Sequence, residues 1–289
     1  LTGRGETGMS WNTIAYAVSE RVATITLNRP DRMNAINDDL PRELAEAVRR
    51  ADDDDDVHAI ILQGAGSAFC AGYDLKEYAE GDRENLYTQS MPWDPMIDYR
   101  LMKANTDAFS TLWRCYKPTI AKVHGFAVAG GSDIALCCDL IVMADDAKIG
   151  YPPTRVWGCP STGMWVHRLG AQQAKRMLFT GDLIDGQEAV RIGLALESVP
   201  ADQLDERVTA LAARMSGVPK NQLMMQKLMI NQAIDAQGMQ NTQMVATLFD
   251  GITRHSPEGL WFKELSERVG FQEAVRKRDS GEPLGPGSN

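Results

Sequence analysis

The sequence predicts an α/β fold that ends in a helical region, and three observations predict it. Two segments share one plan, in which a buried-type strand runs into a loop of glycine and small residues and then into the start of a helix. Strand and helix patterns mix early in the chain, whereas helical periodicity dominates from Thr162 onward. The 289 residues, 44% hydrophobic and 24% charged, have the make-up of a soluble globular protein able to build a core without disulfides.

Taken in order, residues 1–12 are Gly-rich and polar and read as a tail. Thr13 to Ser19 and Val22 to Asn28 are β-rich runs around a polar turn, which predicts a hairpin. Asn37 is placed to cap a helix with Leu40, Leu44, Ala47 and Val48 at helical spacing, ending near the Asp run 52–56. That run is expected to be a solvated corner rather than a metal site. Ala59 to Gln63 is the first buried-type strand, followed by the loop 64–72 and a helix start at Tyr73 to Tyr78. Thr119 to Val123 is the second, followed by the loop 125–131 and a helix over Ser132 to Cys138. Leu140 to Ala144 and the residues around Ile149 continue as strands. No linker interrupts the chain, so the expected division is a core over 13–199, a helical region over 200–279 and a second tail over 280–289.

Charge and cysteine usage narrow the function classes. Thirty Lys and Arg against 39 Asp and Glu leave a net charge of -9, so no nucleic-acid partner is expected. The apolar stretch Gly125 to Ala144 is broken by Ser132, Asp133 and Asp139, so no membrane span is expected. The first eight residues have no apolar run, and a secretory leader is not expected. Five cysteines, odd in number and in apolar surroundings, point to a reducing, cytoplasmic location. His58, His124, His167 and His255 never pair at metal-ligand spacing, and no metal site is expected. Met224, Met225, Leu228 and Met229 form a helical face suited to core or subunit packing.

The glycine loops carry the chemistry. Gly64-Ala-Gly66 begins a dinucleotide fingerprint, but residue 69 is Phe, and no phosphate-binding Gly-Lys-Ser/Thr loop occurs. Ser132 lacks the flanking pattern of a nucleophile elbow. Two readings stay open: ordinary tight turns, or two backbone N–H donors from separate loops aimed at one carbonyl oxygen that gains charge.

Asn28-Arg-Pro-Asp-Arg-Met-Asn-Ala-Ile36, Ala68-Phe-Cys-Ala-Gly-Tyr-Asp-Leu75, and the run from Lys117-Pro-Thr-Ile through Gly130-Gly-Ser-Asp-Ile-Ala-Leu136 closely resemble the enoyl-CoA hydratase/isomerase (crotonase) family, in order and separation. The resemblance implies a spiral of repeated β-β-α units, a helical C-terminal trimerisation region, and homotrimers commonly paired as dimers of trimers. It implies acyl-CoA thioester chemistry through a stabilised enolate, with CoA as part of the substrate and no separate cofactor. By position, the oxyanion donors are the backbone N–H groups of Tyr73 and Gly130. Ala35, Ala71, Asp74, Leu75 and Lys76 match positions along the CoA channel, with Lys76 a phosphate contact.

The chain departs from the hydratase pattern of two glutamates. At the first position it has Asp133, shorter by one methylene, or roughly 1.5 Å of reach. At the second it reads Pro153-Thr154-Arg155, with no carboxylate. Asp133 is the candidate proton-transfer residue, with a dipole-matched helix-start Asp as the alternative. Thr154 and Arg155 are candidates for the acyl pocket, where Arg155 could bind an anionic acyl group or pair with Asp133; a surface or interface ion pair is the other reading. Asp139 matches a structural position, and Thr162 stands where related dehalogenases carry an Asp nucleophile. An enoyl-CoA hydratase is therefore expected, with an isomerase or other enolate reaction, or a non-catalytic acyl-CoA-binding oligomer, as alternatives. Leu204, Val208, Leu211, Met215, Leu223, Leu228, Leu248, Leu260, Trp261 and Phe262 give the late helices an apolar surface expected to be covered by other subunits. Phe262 and Lys263 are expected near a neighbour's CoA site.

Overall fold

The parallel strands of the first sheet are short apolar runs that can be buried on both faces, and they align side by side in a computed structural model that describes residues 11–74 and 89–285. Strands β1 (Ile14–Ser19) and β2 (Val22–Leu27) form the expected antiparallel hairpin. Its turn, Glu20-Arg21, takes positive φ at both residues, the geometry that suits the twist of a two-residue hairpin. Helix α1 (Asp39–Asp53) follows, and Asn37 Oδ1 accepts from the N–H of Leu40 at 3.1 Å, as its capping role requires. Strand β3 (Ala59–Gly64), α2 (Pro95–Phe109), α3 (Thr111–Arg114) and β4 (Thr119–Val123) come next. Then come β5 (Phe126–Val128), α4 (Gly130–Cys137), β6 (Leu140–Ala144), β7 (Lys148–Gly150) and α5 (Met164–Thr180). The chain continues through β8 (Leu183–Ile184), α6 (Gly186–Arg191) and β9 (Glu197–Val199) into helices α7 (Leu204–Ser216), α8 (Lys220–Asp235), α9 (Met239–His255), α10 (Pro257–Val269) and α11 (Phe271–Asp279).

The strands form two sheets. One has the order β1-β2-β3-β4-β6-β9, parallel from β2 onward, and the other has the order β5-β7-β8. Successive turns of chain supply one strand to each, β4 then β5 and β6 then β7, with a helix closing the turn. This is the expected spiral. Isolated bridges from Cys70 to Ala127 and from Ile36 to Tyr73 carry the second sheet's pattern back to the earlier loops.

Several details differ from the sequence reading, and strands β8 and β9 fall where only helical periodicity is expected. The segment 125–131, read as one loop, contains β5, and α4 starts at Gly130 rather than Ser132. Three residues are too few for a period-2 pattern to register, and the Ser132 hydroxyl donates back to Ala129 O at 2.6 Å inside the helix's first turn. The Asp run is more than a solvated corner: Asp52 accepts from the N–H groups of Tyr116 and Lys117, and Asp55 pairs with Lys220 at 2.6 Å. The predicted helix start at 73–78 falls largely outside the described residues.

The core runs along the first sheet and its covering helices, with Ile25, Leu27, Leu40, Leu44, Ile60, Leu62, Phe69, Phe109 and Trp165 fully buried. A smaller cluster joins α10 and α11 to Val156 and Trp157. Phe262 belongs to it and is 0% exposed, so within the chain it is core, packed near Trp157. Leu204 and Val208 are likewise buried in the chain's own core, while Met225, Leu228, Met229, Met244, Leu248 and Phe249 stay exposed on α8 and α9. Among the described residues no helix is long and apolar enough to cross a membrane.

Candidate active site

The first of the quoted motifs builds a frame rather than a reactive centre. Asn34 is buried with φ 55°, a left-handed conformation that Asn tolerates. Its side chain accepts from Arg29 N and donates to Ala65 O and Ala68 O, each at 2.8 Å. Arg29 donates to the carbonyl of Ala35 and pairs with Asp74 at 2.9 Å. One guanidinium thus ties two predicted CoA-channel residues, Ala35 and Asp74, across two loops. Ala71 is held there too, its N–H donating to Met33 O at 3.0 Å. Leu75 and Lys76 lie outside the described residues.

The two glycine loops are bonded together. Cys70 N donates to Phe126 O at 2.8 Å and Val128 N to Cys70 O at 3.1 Å. Gly131 leaves no room for a side chain, since a Cβ there would stand 2.2 Å from Cys70 O. Gly72, at φ +90°, packs so close that an added Cβ would meet Ala129 Cβ at 2.8 Å and lie 3.5 Å from Gly130 N. Ala129 itself takes φ 52°, ψ -127°, a strained conformation for a residue with a side chain, at the turn that delivers Gly130 to the head of α4.

Backbone alternation orients the donors. Gly72 O and Asp74 N bond to Ile36, which turns the N–H of Tyr73, between them, to the segment's other edge. Gly130 is the first residue of α4, where N–H groups have no intrahelical acceptor and carry the helix's partial positive charge. Two such donors can hold an oxygen that becomes negative. The Tyr73 ring lies along Gly130, its Cε2 3.0 Å from where a Cβ would be, and its hydroxyl accepts from Asn105 Nδ2 at 3.3 Å.

Asp133 lies one helical turn beyond Gly130 on the same face of α4. It is 2% exposed, and Thr162 Oγ1 donates to its Oδ1 at 2.5 Å. Burial pushes the carboxyl up to about 8, against the pull of Thr162 and with a smaller push from the negative charge of Asp250. At neutral pH it is mostly protonated. Around it are Tyr151, whose hydroxyl donates to Cys159 O at 3.1 Å and whose ionisation burial suppresses, and Asp250 of α9, which accepts from Cys159 N at 3.1 Å. A buried acid can deliver and reclaim a proton at a substrate carbon.

The other sequence candidates fall elsewhere. Thr154 Oγ1 donates to Leu178 O at 2.6 Å, and Arg155 donates to Thr180 O at 2.6 Å, pairs with Asp182 at 3.4 Å and reaches Arg278 O. Both are turned to the end of α5 and the last helix, and Arg155 forms no pair with Asp133. Asp139 is structural: its Oδ2 accepts from Thr119 N at 2.7 Å and pairs with Lys227 at 2.8 Å. Among the described residues no group of acidic, His or Cys side chains could hold a metal ion. Sequence reading missed Thr162 as the partner of Asp133, and Asp250 altogether. Asp250 leaves only a weak signal, an Asp and an Arg four residues apart on a helix.

These features define a class. A family model described as enoyl-CoA hydratase/isomerase matches residues 17–267, and the chain belongs to that family. A probable enoyl-CoA hydratase of Mycobacterium tuberculosis is 34% identical over 233 residues, which cover 79% of this chain and 84% of the relative. One from Rhizobium meliloti is 31% identical, covering 87% of this chain and 95% of the relative. Among solved structures, an enoyl-CoA hydratase from Mycobacterium smegmatis is 50% identical with a TM-score of 0.87, covering 93% of each chain. An enoyl-CoA hydratase/isomerase from Xanthobacter autotrophicus Py2 superposes with a TM-score of 0.85 at 29% identity, covering 95% of this chain and 100% of that one.

Proposed function

We propose that this protein is an enoyl-CoA hydratase in acyl-CoA metabolism, with Tyr73 and Gly130 as oxyanion donors and Asp133 as the proton-transfer residue. The observation that carries the reading is a buried carboxyl, which burial holds toward its neutral form, one helical turn from the junction of two bonded glycine loops. Relatives named probable enoyl-CoA hydratases support the choice of substrate. Hydrogen bonds from Tyr73 N and Gly130 N to the thioester oxygen lower the energy of the enolate. Water forms a bond to C3, the π electrons move to the thioester oxygen, and C2 takes the proton of Asp133. Asp133 then regains a proton from the added water through its other oxygen, so the residue ends as it began and the sum is one water added.

A double-bond isomerase is the second reading, and the carboxylate-free segment Pro153–Arg155 favours it. There the ionised Asp133 removes a C2 proton and returns it to C4, and its raised basicity suits a base for a carbon acid.

Steady-state rates with crotonyl-CoA and a 3-enoyl-CoA decide between them. Asp133→Asn is expected to lower kcat on the better substrate by on the order of 100-fold with KM within a few-fold. Full activity in that variant overturns the assignment. Homotrimers or dimers of trimers, and a cytoplasmic location consistent with the free thiols of all five cysteines, complete the proposal.

A further inference from the structure

The segment 159–162, which presents Thr162 to Asp133, is pinned from the C-terminal region of the same chain. Asp250 accepts from Cys159 N at 3.1 Å, and Thr247 Oγ1, one turn earlier on α9, donates to Ser161 O at 3.2 Å. From α2, Thr106 Oγ1 donates to Ser161 Oγ at 2.9 Å. Asp250 is in turn gripped by Arg254, four residues on, whose other nitrogen pairs with Asp98 of α2 at 2.5 Å. Asp98, Asp250 and Arg254 are all buried, and an added Cβ at Gly251 would stand 1.8 Å from Asp98 Oδ2. Three buried charges and a glycine-only contact form a costly arrangement for merely joining two helices, since apolar packing would do so without desolvation.

We propose that Asp250, held between Arg254 and the Cys159 N–H, is a positioning residue for Asp133: it fixes the 159–162 segment whose Thr162 hydroxyl meets the Asp133 carboxyl, and it sets a negative charge beside that carboxyl. The inference rests on Asp133 being the proton-transfer group. Asp250 itself touches no reacting atom; its carboxylate is occupied by Arg254 and Cys159.

The charge acts in a defined setting. Facing Asp133 are Asp250 from α9, Tyr151 and Cys159 from the segment after β7, and Cys137 on its own helix. Arg168 of α5 is directed to the carbonyls of Leu136, Cys138 and Asp139 at the far end of α4, and Arg114 of α3 lies toward Cys137. Asp250 is thus the acidic neighbour that favours the neutral form of Asp133, the form that donates a proton to C2.

The test reads Asp133 directly. In the full-length protein, the infrared band of a protonated carboxyl, assigned by its loss in Asp133→Asn, is followed across pH. Wild type is expected to titrate near 8. Asp250→Asn can still accept from Cys159 N but carries no charge, and its midpoint is expected to fall by about one pH unit. Asp250→Glu keeps the charge and is expected to hold the midpoint near wild type. Should Asp250→Asn fail to fold, Asp98→Asn leaves Arg254 to neutralise Asp250 more fully and is expected to shift the midpoint the same way. In steady state, Asp250→Asn is expected to lower kcat about tenfold while KM stays within a few-fold. An unmoved midpoint in the charge-removing variants overturns the inference. Absence of enoyl-CoA turnover in wild type overturns the functional reading instead, and the infrared midpoints tell the two failures apart.

Discussion

Asp133 carries a burial cost that can be followed with pH. Between the ordinary carboxyl value near 4 and the folded value of about 8, the native state holds a proton that the unfolded chain has released. Rising pH therefore favours unfolding across that window, and above about 8 the cost is fully present. Asn at this position never ionises. Asp133→Asn is expected to be less active yet more stable than wild type at pH 8, with the gap shrinking toward pH 5, as urea melts at several pH values will show. A gap constant with pH refutes the buried proton. At Gly131 the constraint is steric. Ala there meets Cys70 O at 2.2 Å, so Gly131→Ala is expected to cost about 1–3 kcal/mol in a urea melt and to lose turnover by pushing the two loops apart.

Elements divide by how clearly their period shows. Strands β3, β4 and β6 were legible because each is an unbroken apolar run, and α1 because Leu40, Leu44, Ala47 and Val48 mark one face. Strands β5, β8 and β9 were not, since two or three residues held by neighbouring strands carry no pattern of their own. The two glycine loops were legible through their glycines and the resemblance, and Asp133 stood out by its place after Gly130. The bond from Thr162 to Asp133, and Asp250 altogether, were not legible because tertiary packing alone brings them there, whereas Arg155 forms the ion pair with Asp182 that one of its two readings allowed. Between elements, α8 is fastened to the start of β4 by a buried amine. Lys227 Nζ donates to Leu112 O and Lys117 O, each at 2.9 Å, and pairs with Asp139. Lys227→Met strands these acceptors and is expected to cost about 3–5 kcal/mol, read as a lowered denaturation midpoint.

At the scale of the whole molecule, the described residues leave large apolar side chains open along two neighbouring helices. Met225, Leu228, Met229 and Ile230 on α8 join Met244, Val245, Leu248, Phe249 and Ile252 on α9 among the exposed large side chains. We expect copies of the chain to cover this face as a trimer or hexamer; a monomer in light scattering at micromolar concentration contradicts it. Helix α9 gives this a consequence for how the enzyme is assayed. Its buried side carries Thr247, Asp250 and Arg254, which bear on the Asp133 pocket, and its open side carries the apolar residues. Association that steadies one side is expected to steady the other, so turnover per protomer is expected to follow mass action. Serial dilution below the dissociation constant of the assembly is expected to lower specific activity, and restoring the protein concentration is expected to bring it back.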